Sequence, residues 1–164
     1  MDIIKNNIIK ILNNYNNYYT YNKNNVWKSF GLNYYRQCGV GSDERKIIKP
    51  TTFYEGEIFE WKFSNGAIFI RLKNNIWKSF GINYDGQCGV GSDEYEINKP
   101  TIFYKGEIFE WKFYNYAIFI RLKNNNWKSF GHNLDGICGV GSDEIIINKP
   151  TIVINQETLN YLEK

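Results

Sequence analysis

The chain has 164 residues, 43% of them hydrophobic and 18% aromatic, enough for one domain with a packed core; three prolines and 23% charged residues exclude wholesale disorder. Twenty Lys and Arg interspersed with seventeen acids leave a net charge of +3, too mild a bias to imply nucleic acid. No run of about 20 apolar residues is present, so no membrane span is expected. The three cysteines match neither a zinc spacing nor a disulfide framework.

The first residues, MDIIKNNIIKIL, carry an early acid and two lysines but no small-residue cleavage site, a poor secretory signal. With an odd cysteine count this predicts an intracellular, cytoplasmic protein in a reducing compartment, with nuclear and virion-associated locations left open. The abundance of Asn, Ile, Lys and Tyr, whose codons are AT-rich, suggests an AT-rich genome.

A fixed period of fifty residues governs the rest of the chain. Trp27, Trp77 and Trp127 mark its phase, as do Cys38, Cys88 and Cys138, and Pro50, Pro100 and Pro150. Residues 57–106 recur in 107–156 without a gap, with identity at 38 of 50 positions. Such a period denotes a supersecondary unit that stacks on its neighbours to bury its apolar face. Shifted by one period, Ile8–Ile11 falls on Ile58–Trp61 and Tyr18–Tyr21 on Ile68–Arg71, so residues 1–24 read as a divergent half-unit. Unit 1 then covers 25–74, unit 2 75–124 and a partial unit 3 125–156. The tail, 157–164, reads as either a short helix or a frayed end.

Within a unit, Asn74-Asn75 is a turn signal and Ile76–Phe80 a short strand. Gly81–Gly86 is rich in turn formers. Gln87–Gly91 places glycine at alternate positions, which predicts close backbone approach or positive φ. Ser92-Asp93-Glu94 is a polar loop. Pro100 precedes the strand Thr101–Tyr104, and Lys105-Gly106 turns the chain. Glu107–Phe113 alternates as a half-buried strand does, and Ala117–Leu122 is apolar enough to be central. Four strands in about fifty residues is the content of one propeller blade.

The run Gly81-Ile82-Asn83-Tyr84-Asp85-Gly86-Gln87-Cys88-Gly89-Val90-Gly91, followed by Lys99-Pro100 and preceded by Trp77, resembles the repeat of the RCC1 (regulator of chromosome condensation) family, with Cys88 standing for the family's Leu. The resemblance runs through all three units. It departs from the family at Phe113–Ile120, where a Gly-His pair is missing. It implies an all-β fold of RCC1-like β-propeller blades, about three where the family's propellers have seven. The founding member exchanges guanine nucleotide on a small GTPase and binds nucleosomes. That activity depends on a full propeller and a wedge insertion, which the uninterrupted period here lacks.

Individual residues are read against their structural alternatives. Cys38, Cys88 and Cys138 fill small core slots between glycines. The pairs Asp43-Glu44, Asp93-Glu94 and Asp143-Glu144 form solvated turns with Ser42, Ser92 and Ser142 rather than cation sites. The five tryptophans pack between blades in preference to stacking a ligand. Arg71 and Arg121 either meet an acidic partner or bond a neighbouring blade's carbonyl. The places where near-identical copies differ are the functional pointers: Tyr34, Tyr35 and Arg36, then Tyr114, Tyr116 and His132, with Leu134 and Ile137 beside them. Tyrosine and arginine there suit a partner-binding surface. Ile137, Ile145 and Ile146, apolar where unit 2 is polar, form a candidate assembly face.

The sequence thus predicts a non-enzymatic protein–protein interaction module with no cofactor or metal. It also predicts self-association, two chains supplying about six blades with their end half-units completing each other. A self-assembling structural protein is the alternative and nucleotide exchange a weaker one. Direct nucleic-acid binding is not expected.

Overall fold

The structure, a computed structural model, describes residues 8–14 by their backbone and 16–164 in full. Among the described residues the fold is almost all β: three four-stranded antiparallel sheets, each a meander taken in chain order, and one short α-helix. The first sheet holds β1 (Ile8–Asn14), β2 (Asn17–Asn22), β3 (Val26–Leu32) and β4 (Lys46–Glu55). The second holds β5 (Glu60–Ser64), β6 (Ala67–Arg71), β7 (Ile76–Ile82) and β8 (Glu96–Lys105). The third holds β9 (Ile108–Tyr114), β10 (Ala117–Leu122), β11 (Trp127–His132) and β12 (Ile146–Ile152), and α1 (Gln156–Leu162) follows. These are propeller blades.

The sheets cut the fifty-residue period at a different phase from the sequence units. Residues of the N-terminal half-unit pair in the same sheet with β3 and β4, Tyr19 facing Ser29 and Ser29 facing Thr51. Among the described residues three whole four-stranded sheets result. A strict period carries no origin of its own; only the hydrogen-bonded ladder sets where a blade begins.

Asn supplies the tight turns. Asn16, Asn65 and Asn115 in the first hairpin of each sheet, and Asn25, Asn75 and Asn125 in the second, all take positive φ, which Asn tolerates better than other non-glycine residues. Gly31, Gly81 and Gly131 lie beside a register shift in the third strand, and a Cβ there would come within 2.4, 2.3 and 2.3 Å of a hairpin carbonyl. Pro100 lies within β8, not ahead of it; β8 is an edge strand, where a missing N–H costs no ladder bond.

The core lies between sheets. Trp27 meets Trp61, and Trp77 meets Trp111, each at 5.2 Å between ring centroids. Phe103 of the second sheet packs on Trp111 and Phe130 of the third, as Phe53 packs on Trp61 and Phe80 one blade earlier. The central strands β6 and β10 are buried almost throughout, as their apolar text predicts. Among the described residues no helix is long and apolar enough to cross a membrane.

Candidate functional site

The loop after the third strand of each sheet is built identically. Asn33, Asn83 and Asn133 each accept the backbone N–H of the cysteine five residues on, at 3.0 Å, and donate to two further loop carbonyls. Ser29, Ser79 and Ser129 donate to the carbonyl of the same cysteine at 2.6 Å. The cysteines are free and buried; desolvation pushes the Cys38 and Cys138 thiols up to about 11 and raises Cys88 as well. These are core fillers, not reactive sites. The hydroxyls of Ser42, Ser92 and Ser142 accept from the N–H of Glu44, Glu94 and Glu144, which accounts for the acid-pair turns without a cation.

Each loop docks on the next blade. Gly41 N–H donates to Asn98 O at 2.8 Å, and Gly91 N–H to Asn148 O at 2.7 Å. Gly39 lies on the ring of Phe80 and Gly89 on that of Phe130. In the third blade Gly139 meets Thr158 of α1 instead. The helix is capped by Asn155, which accepts Thr158 N–H at 3.0 Å, and it buries Leu162. Trp127 Nε1 donates to Glu163 at 2.8 Å. The tail is therefore a helix that covers the face a further blade would cover.

The two junctions between blades differ where the sequence copies differ. At the second, His132 Nδ1 lies 3.1 Å from Asp85 Oδ1, a polar pair across the gap. At the first, Ile82 and Tyr35 hold the corresponding positions, and a cleft of about 500 Å³ opens there. Hairpin tips from all three sheets reach it: Asn16, Asn65 with Gly66, and Tyr116. Tyr34, Tyr35 and Gln37 of the first loop complete it with Leu32 and Ile82. Among the described residues no ionisable acid or base lines it apart from the tyrosine phenols. Tyr34, Tyr35 and Tyr116 are 51%, 45% and 52% exposed, whereas Gln37 is only 8% exposed. Gln37 accepts Tyr35 N–H through Oε1 at 2.8 Å, as Gln87 accepts Asp85 N–H one blade on.

The structure thus gathers three of the sequence-selected tyrosines into one cleft. Tyr114 and His132 border a neighbouring depression that shares Tyr116 and includes Ile137. Arg36 lies beside Tyr35 in the chain but clamps two blades, 3.2 Å from Glu96 and 3.4 Å from Asp43. Arg71 and Arg121 stand apart: each pairs with a glutamate of its own sheet, Glu60 at 3.1 Å and Glu110 at 2.8 Å, and among the described residues neither bonds a neighbouring blade's carbonyl. The isoleucines do not form one face. Ile146 covers Gly86 of the second blade, Ile137 is half-buried near α1, and Ile145 is exposed. Sequence reasoning missed Gln37, Asn16 and Asn65. The exchange of Gln37 and Gln87 for Ile137 was the available signal for the first; the asparagines read only as turns.

No family model matches the chain, and no curated protein matches it. Among solved structures it is similar to Prp20p from Saccharomyces cerevisiae, at 20% identity and a TM-score of 0.69 over 93% of this chain and 39% of that one. It is similar to yeast RCC1 (Prp20) bound to Kap60, at 20% identity and a TM-score of 0.70 over 93% and 38%. Human WBSCR16 gives 12% identity and a TM-score of 0.62 over 93% and 39%. The chain spans about two fifths of the length of these proteins. What the likeness shows is the fold: this chain is an arc of three RCC1-like propeller blades.

Proposed function

We propose that the chain is a non-catalytic protein-binding module whose contact surface is the tyrosine cleft at the first blade junction. One observation carries the reading: positions at which near-identical copies differ converge, from separate blades, on a single exposed cleft. Tyrosines offer large amphipathic contact area with few torsions to immobilise, and here the loop and the hairpin that carry them are fixed by the blades. Prp20p is described with binding properties to Gsp1p and histones, and in complex with Kap60. A protein partner for this chain agrees with that precedent. The test is affinity capture from the source extract with the native chain and with a Tyr34→Leu/Tyr35→Asp/Tyr116→Gly variant, each substitution taken from a sister copy. A stoichiometric partner held by the native chain and lost by the variant is expected; equal retention overturns the reading.

A second reading, self-association, is favoured by the first blade. Tyr18 is 38% exposed where Ile68 and Ile118 are 0% and 1% exposed, and Phe30 is half-buried where Phe80 and Phe130 are fully buried. Two chains meeting there would bring six blades together. Native mass at micromolar concentration tests this, and a monomer overturns it.

A further inference from the structure

We infer that α1 is an autoinhibitory cap, seated on the face of the third blade that the first blade of a second copy of this chain would dock on, head to tail. The cleft plays no part in this. The two junctions inside the chain show how one blade receives another. The loop of the preceding blade lays a glycine on a phenylalanine ring, Gly39 on Phe80 and Gly89 on Phe130. Its second glycine donates to a carbonyl of the fourth strand, Gly41 to Asn98 O and Gly91 to Asn148 O.

The chain carries one further copy of each half of this contact. The third blade repeats the loop, Cys138–Glu144, letter for letter. Asn133 and Ser129 hold it by the same bonds, and its glycines keep nearly the same backbone angles, φ +66° at Gly139 and +72° at Gly141. Beside it, Phe119 and Trp127 stand where, one blade earlier, Phe69 and Trp77 pack on Trp111. The first blade repeats the receiving side: Phe30 stands in the place of Phe80 and Phe130, and Ile48 O in that of Asn98 O and Asn148 O. Among the described residues no loop glycine lies on Phe30 and none donates to Ile48 O. A loop without a blade and a blade without a loop are complementary, and two such surfaces on one molecule join copies head to tail.

The tail takes up the third loop instead. Ile154 N–H and Asn155 N–H both donate to Gly139 O, at 2.8 and 2.9 Å. Thr158 lies over Gly139 as Phe80 and Phe130 lie over Gly39 and Gly89. Glu163 accepts from Trp127 Nε1 at 2.8 Å, whereas Trp77 Nε1, buried at the junction with the third blade, has no partner among the described residues. The hold is slight. The helix has seven residues and buries one of them, Leu162, and a helix so short is not stable undocked. What keeps it in place is its tether: within one chain it faces the loop at an effective concentration of the order of millimolar, which a second copy at micromolar concentration does not reach.

The experiment is light scattering of the full-length chain, native and with α1 released by Leu162→Asp/Glu163→Gln, from micromolar to submillimolar concentration. Faster chymotryptic cleavage at Tyr161 confirms release, and circular dichroism confirms that the blades stay folded. If they do not, Asn155→Gly/Glu163→Gln, which loosens the helix without touching a buried side chain, replaces the first variant. The released chain is expected to gain mass with concentration, to at least about twice that of the native chain under the same conditions. Adding Gly139→Ala to the released chain should weaken this association about tenfold or more. A Cβ there would meet Phe30 of the next copy as one on Gly39 or Gly89 would meet its phenylalanine ring, at 2.8 Å. A released, folded chain whose mass stays that of the native chain overturns the inference. So does equal assembly with Gly139→Ala, which would mark unspecific association of an exposed apolar face. The readings above fail separately: these substitutions leave the cleft untouched, and a two-fold meeting of first blades would not respond to a change at Gly139.

Discussion

Gly89 and Gly91 make a matched pair. Both lie in the same loop at nearly the same backbone angle, φ +67° and +73°, so alanine at either suffers the left-handed penalty of about 1–2 kcal/mol. Their surroundings differ. A Cβ on Gly89 would lie 2.8 Å from the ring of Phe130 in the next blade, whereas a Cβ on Gly91 meets nothing within 4 Å. Phe130 is fully buried among Phe69 and Phe103, so it has little room to yield. Overpacking of this kind adds about 1–3 kcal/mol. Gly91→Ala should therefore cost about 1–2 kcal/mol and Gly89→Ala about 2–5 kcal/mol. Urea titration followed by tryptophan fluorescence reads the difference. At a slope near 2 kcal/mol/M the two midpoints should be separated by about 1 M. Equal midpoints would refute the claim that the glycine loop is the blade-to-blade contact.

Leu162→Ala should destabilise the chain by about 2–4 kcal/mol, since Leu162 is buried under the third blade's face; a loss below 0.5 kcal/mol in the same titration would mean that α1 does not cap the fold. Asn83→Ala should cost about 3 kcal/mol or more, because one buried side chain serves three backbone groups at once; thermal denaturation checks it, and a loss within experimental scatter would dismiss the loop's organiser. Stability should also fall as the solution turns alkaline. The Cys38 and Cys138 thiols are raised from 9.0 to about 11, so between those values the unfolded chain releases protons that the folded chain retains. Stability is then complete below pH 9 and declines as pH rises, by up to about 1.4 kcal/mol per pH unit for each thiol. Urea midpoints measured across that window check it, and Cys138→Ala should flatten the slope.

Much of the scaffold was legible in the text because a repeat states its requirements three times. Gly31, Gly81 and Gly131 recur because only glycine clears a hairpin carbonyl. Asn33, Asn83 and Asn133 recur because one amide holds each loop. The tryptophans recur because blades stack through them. The strands, the blade content and the cysteines as core fillers follow from such local rules. The cleft was legible only as a set of unrelated differences between copies, Tyr35 in the first and Tyr116 in the third, with Tyr34 repeated as Tyr84 and lost at Leu134.

The building block can be read from the amino acids alone: four strands, turns at asparagine and glycine, and an apolar face that must be covered. Those are properties of neighbours along the chain. The packing of the sheets settles everything beyond that. It set the blade boundaries, since strand pairing rather than the period assigns the half-unit at the start to the first sheet. It turned the tail into a cap, since α1 becomes useful only where the third blade ends. It also brought Tyr116 to Tyr34 and Tyr35, because stacking three blades sets hairpin tips from separate copies around one opening. Proximity across blades depends on how whole sheets pack, and no local pattern encodes it.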